Sequence, residues 1–403
     1  MSSSVHSETA SATVQAREVR TLFGVSFLTR SVSIIIQTVA PIVLSNVLDL
    51  PTTSLGWVIA GFWMANALGS LLAAGLIRSR RRSILIGFML LSASFAGLAL
   101  YHEIAGYAFF VIINGLALAM VQAFLVPSMY KSGTKERPQL GIANYSMALS
   151  LGMVVGPACA SIAIFFYGFS VLFGILSGVA LATFVLCAAI GFQKLFQNED
   201  TLGSIKPSNI IRTIKKKGFA NYYALNFFYS MLLPIFLSYG GIYGEKKFGL
   251  GAELILALFA LVFGISTAMR SIFTRAQIGQ FKTLLISGFA VLVLSFALVG
   301  ASENLSLYLV GFLLFSIPHA LIYPATTFMA LESGGRDSLI SSSYLFATSS
   351  GVAEFLSPLI AVPIIALYNI SGAFLIMVPI AGCGMIFSLV LGEVGSSPSH
   401  STP

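Results

Sequence analysis

Residues 141–166 read GIANYSMALSLGMVVGPACASIAIFF, a continuous apolar run that contains no charged side chain. A helix of about 20 such residues spans the ~30 Å hydrocarbon core of a bilayer. The strands of a membrane barrel would instead alternate apolar and polar residues, and this run does not alternate. The run therefore predicts a transmembrane α-helix.

The composition extends this prediction to the whole chain, because 57% of the 403 residues are hydrophobic and only 9% are charged. Soluble domains carry roughly a quarter charged residues, and a chain that spans lipid must form helices or a closed barrel. Apolar runs of similar length recur along the sequence. We number them as helices 1–12, over residues 22–46, 55–77, 83–101, 107–129, 141–166, 168–190, 219–243, 251–273, 283–300, 305–329, 341–366 and 373–391. They predict an all-α membrane protein with two halves of six transmembrane helices.

The longest polar connection between these helices separates the two halves. It spans residues 191–218, is rich in lysine, and is predicted to be a cytoplasmic linker. The N-terminal six-helix bundle then covers 21–190 and the C-terminal bundle covers 219–391. The polar segments 1–20 and 392–403 are predicted to be cytoplasmic tails, the first of them disordered.

Lysine and arginine are concentrated on one side of the predicted membrane. With the N-terminus in the cytoplasm, nearly all of the 22 basic residues fall on the cytoplasmic side, including Arg270 near the cytoplasmic end of helix 8, whereas Lys246 and Lys247 fall outside. Cytoplasmic loops of membrane proteins show this excess. We therefore predict a multi-pass protein of the plasma membrane with both termini in the cytoplasm. The net charge of +8 then requires no nucleic-acid partner.

The two halves carry the same order of residues around their fourth and fifth helices. The order is Pro127, Arg137, Tyr145, Gly152, Pro157 in the first half and Pro324, Arg336, Tyr344, Gly351, Pro358 in the second. Many secondary transporters are built from two repeats packed around a site near the bilayer midplane. The repetition predicts two pseudo-symmetric six-helix bundles around a central cavity.

The loop between helices 2 and 3 supplies Arg78, Arg81 and Arg82, preceded by Ile77. This pattern resembles the loop motif of the major facilitator superfamily, which has Asp at the position of Ile77. The resemblance implies a latch between the halves, made by charge and helix-dipole contacts. Without the Asp, the same arginines also fit a plain cluster of cytoplasmic positive charge, and both interpretations stay open.

Helix 5 carries a second passage of resemblance, because Gly152, Gly156 and Pro157 match a Gly-x-x-x-Gly-Pro motif that the family associates with antiporters. Small residues let helix backbones approach closely, and proline can kink a helix. The antiporter motif of helix 4 is not kept, since Val111 stands where its arginine would be. The resemblance covers essentially the whole chain and implies a twelve-helix transporter without a cofactor, leaning to the drug/proton antiporter-like group.

In this family, helices 1, 4, 7 and 10 are expected to line the central cavity, with helices 2, 5, 8 and 11 beside them. On helices 1, 4, 7, 10 and 11, polar and aromatic side chains recur at the spacings that place residues on one helix face. The candidates for contact with a small-molecule substrate are Arg30, Gln37, Asn114, Gln122, Tyr222, Asn226, Tyr229, Ser316, His319, Tyr323 and Tyr344.

Two charged residues, Arg30 in helix 1 and Glu354 in helix 11, lie deep in the predicted membrane. A charge at such depth costs about 2.5–3.5 kcal/mol on insertion scales and usually serves a function. Glu354 is the candidate for proton coupling, with His319 as the second candidate. Arg30 either holds a substrate anion or pairs with Glu354. The alternatives are structural partners between helices for both charges, and a neutral, hydrogen-bonded histidine.

These features predict a monomeric secondary transporter that moves a small molecule by alternating access, with proton-coupled efflux as the leading prediction. The alternative is import or exchange of an organic anion, with Arg30 as the anion site. A membrane enzyme is disfavoured, because the sequence has no HExxH site, glycine-rich phosphate loop or aspartate-rich pair. A signalling receptor is disfavoured by the short polar tails. Cys159, Cys187 and Cys383 lie inside apolar runs, so we predict neither a disulfide framework nor a metal site.

Overall fold

The computed structural model describes residues 2–75, 80–132, 139–190, 212–275, 281–334 and 339–390, and every regular element in these ranges is helical. In the N-terminal half, helix 1 comprises Ser2–Ile42 and a π-helical turn at Val43–Val47. The remaining elements of this half are helix 2 (Thr52–Gly75), helix 3 (Arg80–Leu100), helix 4 (Ile104–Ser132) and Gln139–Ile190, which contains helices 5 and 6.

The C-terminal half repeats this arrangement. Helix 7 comprises Lys217–Pro234, a π-helical turn at Ile235–Tyr239, and Gly240–Phe248. The other elements are helix 8 (Ala252–Arg275), helix 9 (Phe281–Gly300), helix 10 (Leu305–Leu314 with Ser316–Gly334) and Leu339–Val390, which contains helices 11 and 12. Helix 10 is interrupted before Pro318, because proline has no N–H for the carbonyl of Leu314.

Nine helical stretches in the described part of the chain are long and apolar enough to cross a membrane, and two of these are 46 residues long. The first long stretch breaks at Gly168, whose φ of 78° favours glycine. The second breaks at Tyr368 and Asn369, where Asn369 Oδ1 accepts a hydrogen bond from Ser371 N at 2.8 Å and so caps helix 12. Each therefore comprises two membrane spans. Together with helix 2 (Thr52–Gly75), the described ranges contain the twelve predicted helices.

Helix 1 begins much earlier than the sequence pattern predicts. The expected disordered tail over 1–20 differs from the structure, in which the helix starts at Ser2. The sequence has neither glycine nor proline between Ser2 and Phe23, so the membrane helix extends toward the N-terminus by propagation alone, which needs no new nucleus. Most of the predicted linker over 191–218 and the tail over 392–403 lie outside the described residues.

Each bundle is held together by packing between particular helices. In the first half, helix 1 packs against helix 5 and helix 2 against helix 4, and Ser92 of helix 3 is hydrogen-bonded to Ser177 of helix 6. In the second half, helix 7 packs against helix 11 and helix 8 against helix 10. The halves meet through helix 2 with helix 11 and through helix 5 with helix 8. The interface is thus pseudo-symmetric, as the repeat predicts.

The two π-helical turns lie at matching positions in helices 1 and 7, and each follows a proline, Pro41 or Pro234. A proline leaves the carbonyl four residues earlier without its helical donor, which favours local departures from α-helical geometry. The second turn packs against helix 1 of the other half, and just beyond it a Cβ on Gly241 would lie 3.5 Å from Ile42 Cδ1. The second turn therefore forms part of the contact between the halves.

Candidate functional site

A cluster of charged and aromatic side chains lies between the two halves. Its members come from helices 1, 5, 7, 8, 10 and 11 and influence one another electrostatically. They are Arg30, Tyr145, Tyr229, Arg270, His319, Tyr323 and Glu354. We call this set the central cluster.

The glycines of helix 5 place Arg30 in the central cluster. A Cβ on Gly152 would lie 2.7 Å from Phe27 O and 3.0 Å from Arg30 Cβ, and one on Gly156 would lie 2.7 Å from Ser31 O. These separations leave room only for hydrogen, so helix 5 presses its backbone against helix 1 at the level of Arg30. The Gly-x-x-x-Gly motif therefore sets the position of the arginine backbone.

The guanidinium of Arg30 is only partly satisfied. Its Nη2 donates to Met153 Sδ at 3.4 Å, and sulfur is a weak acceptor. Its Nε is buried and has no hydrogen-bond partner among the described residues. A buried donor without an acceptor carries a desolvation penalty of about 1–3 kcal/mol, and more when the group is charged. Arg30 thus retains hydrogen-bonding capacity for an acceptor that enters the cluster.

Arg270 contacts two other helices at this site and reaches a third through His319. Its Nη1 donates to Ser150 Oγ on helix 5, and its Nη2 lies 3.5 Å from His319 Nε2 on helix 10. The other imidazole nitrogen of His319, Nδ1, is hydrogen-bonded to the Tyr229 hydroxyl on helix 7. Because guanidinium offers only donors, His319 Nε2 must accept, and the neutral ring then carries its hydrogen on Nδ1. The Nε of Arg270, like that of Arg30, is buried and unpartnered within the described residues.

The sequence prediction counted Arg270 among the cytoplasmic basic residues near the end of helix 8 and did not name it as a candidate for the site. The structure places it inside Ala252–Arg275, with its guanidinium directed to Ser150 and His319. Ser266 and Arg270 are four residues apart on this otherwise apolar helix. That spacing puts them on one face and is a signal that could have identified the arginine.

Glu354 faces the same cluster from helix 11. Its carboxyl group is electrostatically coupled to Arg30, to Tyr229 and to Tyr323. In the described part of the chain it makes no hydrogen bond or ion pair, with Arg30 or any other residue. The side chain is partly exposed. The structure thus brings Arg30 and Glu354 together without a direct ion pair, and the carboxylate stays available to a proton.

Three predicted amide side chains are anchored within their own half. Asn114 Nδ2 donates to Ser94 Oγ at 2.9 Å and joins helix 4 to helix 3. Asn226 Nδ2 donates to Ser350 Oγ at 2.8 Å and joins helix 7 to helix 11. Gln37 Nε2 donates to Ser33 Oγ at 2.8 Å within helix 1.

The carbonyl oxygen of each of these three amides is buried without a partner among the described residues. A role for Gln37, Asn114 and Asn226 in binding substrate stays a prediction.

The other substrate candidates lie at varied positions. Gln122 is partly exposed and precedes Pro127 by five residues, as His319 precedes Pro324, so the two are counterparts in the repeat. Tyr222 and Ser316 are buried. Tyr344 falls in helix 11, and its side chain lies outside the described part.

The arginine loop makes its described contact within one half. Arg81 Nη2 donates to the carbonyl of Ala188 at 3.1 Å, near the end of helix 6, where a positive charge complements the helix dipole. Arg82 is exposed, and Arg78 lies outside the described residues. The described contact of Arg81 therefore braces helices 3 and 6 of the N-terminal bundle, and a latch between the halves stays a prediction.

Contacts between the halves close one side of the central cluster. We call the side of the membrane with the N-terminus the N side and the other the far side. At the far side, Asn46 Nδ2 donates to the Glu245 carboxylate, and Ser161 Oγ donates to Glu253 O at 2.8 Å. Tyr239 OH lies 3.4 Å from Thr52 O. These contacts join helices 1, 2 and 5 to helices 7 and 8, so the route to the far side is closed.

The comparisons with known proteins identify the family. The Major Facilitator Superfamily model matches residues 22–353. The human organic anion transporter MFSD10 (TETRAN) is similar in structure, with 15% identity, a TM-score of 0.66, and coverage of 93% of this chain and 99% of that chain.

Two further solved structures have similar folds. A peptide transporter POT in complex with sulfate has 13% identity, a TM-score of 0.71 and 93% coverage of each chain. The nucleoside transporter NupG has 13% identity, a TM-score of 0.69, and coverage of 92% of this chain and 97% of its own. No match was found among the curated proteins. At these identities the structural likeness shows the fold, and the family model covers most of the sequence. The chain therefore belongs to the major facilitator superfamily of multi-pass membrane transporters.

Proposed function

We propose that this protein is a secondary transporter of a small organic anion, which is bound by Arg30 and Arg270 and moved by alternating access. One observation carries the proposal. Two arginines from opposite halves meet in the central cluster, and each keeps a buried Nε without a partner among the described residues. The planar donor fork of arginine matches the oxygens of a carboxylate or phosphate. An anion between the halves would satisfy both side chains.

The charges of the central cluster favour an anion over a cation. Arg30 and Arg270 contribute two positive charges, whereas Glu354 contributes one negative charge when ionised. A site lined by one sign of charge attracts ligands of the opposite sign. A cationic amphiphile, as expected for a drug/proton antiporter, would meet two guanidinium groups there.

The second arginine therefore changes the preference between the two functions that the sequence left open. Proton-coupled efflux is the leading prediction from the sequence, in which Arg30 is the one arginine among the candidates for contact with substrate. Arg270 doubles the positive charge at the site and supports the organic-anion alternative instead. The similar solved structures include transporters named for organic anions, peptides and nucleosides, so the choice rests on the arginines of this chain.

Glu354 is the proposed proton-coupling group. Among the described residues it is the acid nearest the middle of a membrane helix, since Glu245 and Glu253 lie at the far ends of helices 7 and 8. Its partly exposed carboxyl has no hydrogen-bond partner in the described chain. A pH gradient should drive transport in the wild type and fail to do so in Glu354→Gln, which cannot bind the proton.

The proposed location is the plasma membrane, with the N side facing the cytoplasm. The excess of lysine and arginine on the N side supports this orientation. Exposed aromatic side chains near the far ends of the helices, Trp57, Tyr101, Phe166, Tyr167 and Tyr368, are of the kind found at a membrane–water interface. We propose that the protein acts as a monomer, because one chain supplies all members of the central cluster.

The test is ligand-induced stabilisation of the purified protein by a panel of small carboxylates, phosphates and sulfonates, compared with cationic amphiphiles. A ligand that binds only the folded state raises the unfolding temperature. Anions should stabilise the wild type. Arg30→Lys and Arg270→Lys should each lower the affinity for the anion about tenfold or more, because lysine lacks the planar pair of donors of a guanidinium.

Arg212→Lys, at an exposed position outside the membrane helices, is the matched control and should behave like the wild type. The proposal would be contradicted if cationic amphiphiles stabilised the wild type, Arg30→Lys and Arg270→Lys equally. Unfolding temperatures measured without ligand separate loss of binding from loss of folding.

A further inference from the structure

Resting on the proposed function, we infer that the proton and the organic anion cross the membrane together as a symport, because Glu354 competes with the substrate for Arg30. The proposed function requires only that an anion binds the two arginines. The inference adds that the anion and the proton strengthen, rather than weaken, each other's binding.

The surroundings of Glu354 limit which groups can couple to it. Arg30 of helix 1 is the cation that acts on it. Tyr229 of helix 7 and Tyr323 of helix 10 also face it. Arg270 and His319 belong to the same cluster, in which Arg270 is coupled electrostatically to both tyrosines and His319 is hydrogen-bonded to Tyr229. Helix 2, which also packs against helix 11, has no titratable side chain over Thr52–Gly75.

Ionised Glu354 is therefore an internal anion opposite Arg30. Because no carboxylate among the described residues is bound directly to Arg30, its guanidinium can bind an anion from solution. When Glu354 is ionised, its carboxylate repels an entering anion and partly neutralises the positive charge of Arg30. When Glu354 is protonated, neither effect weakens binding of the anion. The proton thus strengthens binding of the anion, and by linkage the anion strengthens binding of the proton by the same factor.

The sign of this linkage determines the direction of coupling. Because each ligand strengthens binding of the other, two states of the central cluster are favoured. In one, the anion site is empty and Glu354 is ionised; in the other, the anion is bound and Glu354 is protonated. If the protein switches between the two sides of the membrane only in these states, one proton moves with each anion. A cationic substrate would instead displace the proton from Glu354, which gives antiport. The charge of the substrate therefore distinguishes the two kinds of transport at a single carboxylate.

The first experiment measures the pH dependence of anion affinity. Benzenesulfonate is the probe, with benzoate beside it, over a neutral pH range in which the charge of neither probe changes. The dissociation constant should rise with pH, by up to about tenfold per pH unit, the limit for one linked proton. Glu354→Gln should bind tightly at every pH, since its neutral amide imitates the protonated acid.

The matched control is Glu245→Gln, which changes an acid at the far end of helix 7 and should keep the pH dependence of the wild type. An affinity that does not change with pH, or that tightens as pH rises, would overturn the symport inference. If that result depended on Arg30 and Arg270, the proposed function would stand. Absence of binding to either probe at every pH would overturn the proposed function, and the inference with it.

The second experiment measures the direction in which protons move when the anion enters. Proteoliposomes that contain a pH-sensitive dye are given an inward gradient of benzenesulfonate. Symport predicts acidification of the lumen, because protons enter with the anion, whereas antiport predicts alkalinisation. Glu354→Gln should abolish the pH change while it retains binding of the probe, so a folding defect cannot produce the expected result.

Discussion

Arg270 and Ser150 form a hydrogen bond between the two halves of the protein, from the guanidinium Nη1 on helix 8 to the hydroxyl Oγ on helix 5. Arg270 also belongs to the proposed anion site. An anion at Nε, which has no partner among the described residues, and Ser150 at Nη1 would therefore share one guanidinium. Binding of the substrate would change a contact that holds the halves together, which is a physical route from occupancy to movement.

Replacing Ser150 by alanine should destabilise the protein without ligand. The change removes a hydrogen bond to a charged group, worth about 1.5–3 kcal/mol. Thermal unfolding of the purified variant should show a lower midpoint, and the difference from wild type should shrink when a saturating anion supplies Arg270 with another acceptor. Ser150→Thr retains a hydroxyl and is the control. A deficit that the anion does not reduce would argue against shared use of Arg270.

Gly152→Ala should both destabilise the protein and weaken anion binding. The added Cβ would lie 2.7 Å from Phe27 O and 3.0 Å from Arg30 Cβ, so helices 1 and 5 must separate, at a typical cost of about 1–3 kcal/mol. Arg30 would move with helix 1. Unfolding midpoints and probe titrations measure the two effects.

Gly174→Ala provides the matched comparison, because a Cβ on Gly174 would meet nothing within 4 Å. Alanine is favoured over glycine in a helix by about 1 kcal/mol, so this variant should be at least as stable as wild type and bind normally. Equal losses in Gly152→Ala and Gly174→Ala would disprove the role assigned to the contact with helix 1.

His319→Gln should preserve anion binding, whereas His319→Leu should weaken it by about tenfold or more. Glutamine can accept a hydrogen bond from Arg270, as His319 Nε2 does at 3.5 Å, while leucine leaves the buried guanidinium without that acceptor. Titrations across pH test this, and the pH dependence should persist in His319→Gln. Its loss in that variant would instead make His319 the proton carrier.

Asn46→Asp should open the far side. Asn46 donates a hydrogen bond to Glu245, and an aspartate there would place two like charges together. The labelling rate of Thr52→Cys by a water-soluble thiol reagent should increase, in a background in which the exposed Cys159 and Cys383 are replaced by serine. Adding Glu245→Gln should restore the slow rate, and fast labelling in that combined variant would contradict the charge explanation.

The helices were predictable because lipid imposes a hard length requirement on apolar runs. The break at Gly168 was also predictable, because the apolar run there is too long for one span. The extension of helix 1 to Ser2 was not, because those residues are polar and their helical state depends on the span that follows them.

The site was only partly predictable from the same sequence. Arg30, His319 and Glu354 attract notice because polar groups are rare in the middle of apolar helices, and the structure brings all three into one cluster. Their roles stay predictions. Arg270 was missed because a basic residue near the end of a helix looks like an ordinary flank of the membrane. Its bond to Ser150 joins opposite halves of the chain, and no local pattern reports such a pairing.

The π-helical turns at Val43–Val47 and Ile235–Tyr239 set the direction of the side chains beyond them. A π-helical turn holds about one residue more than the α-helical turn that it replaces, and one residue rotates the rest of a helix by about 100°. The far end of helix 7 is therefore rotated relative to the segment that carries Tyr229. This rotation contributes to the direction in which Glu245 meets Asn46 of the other half.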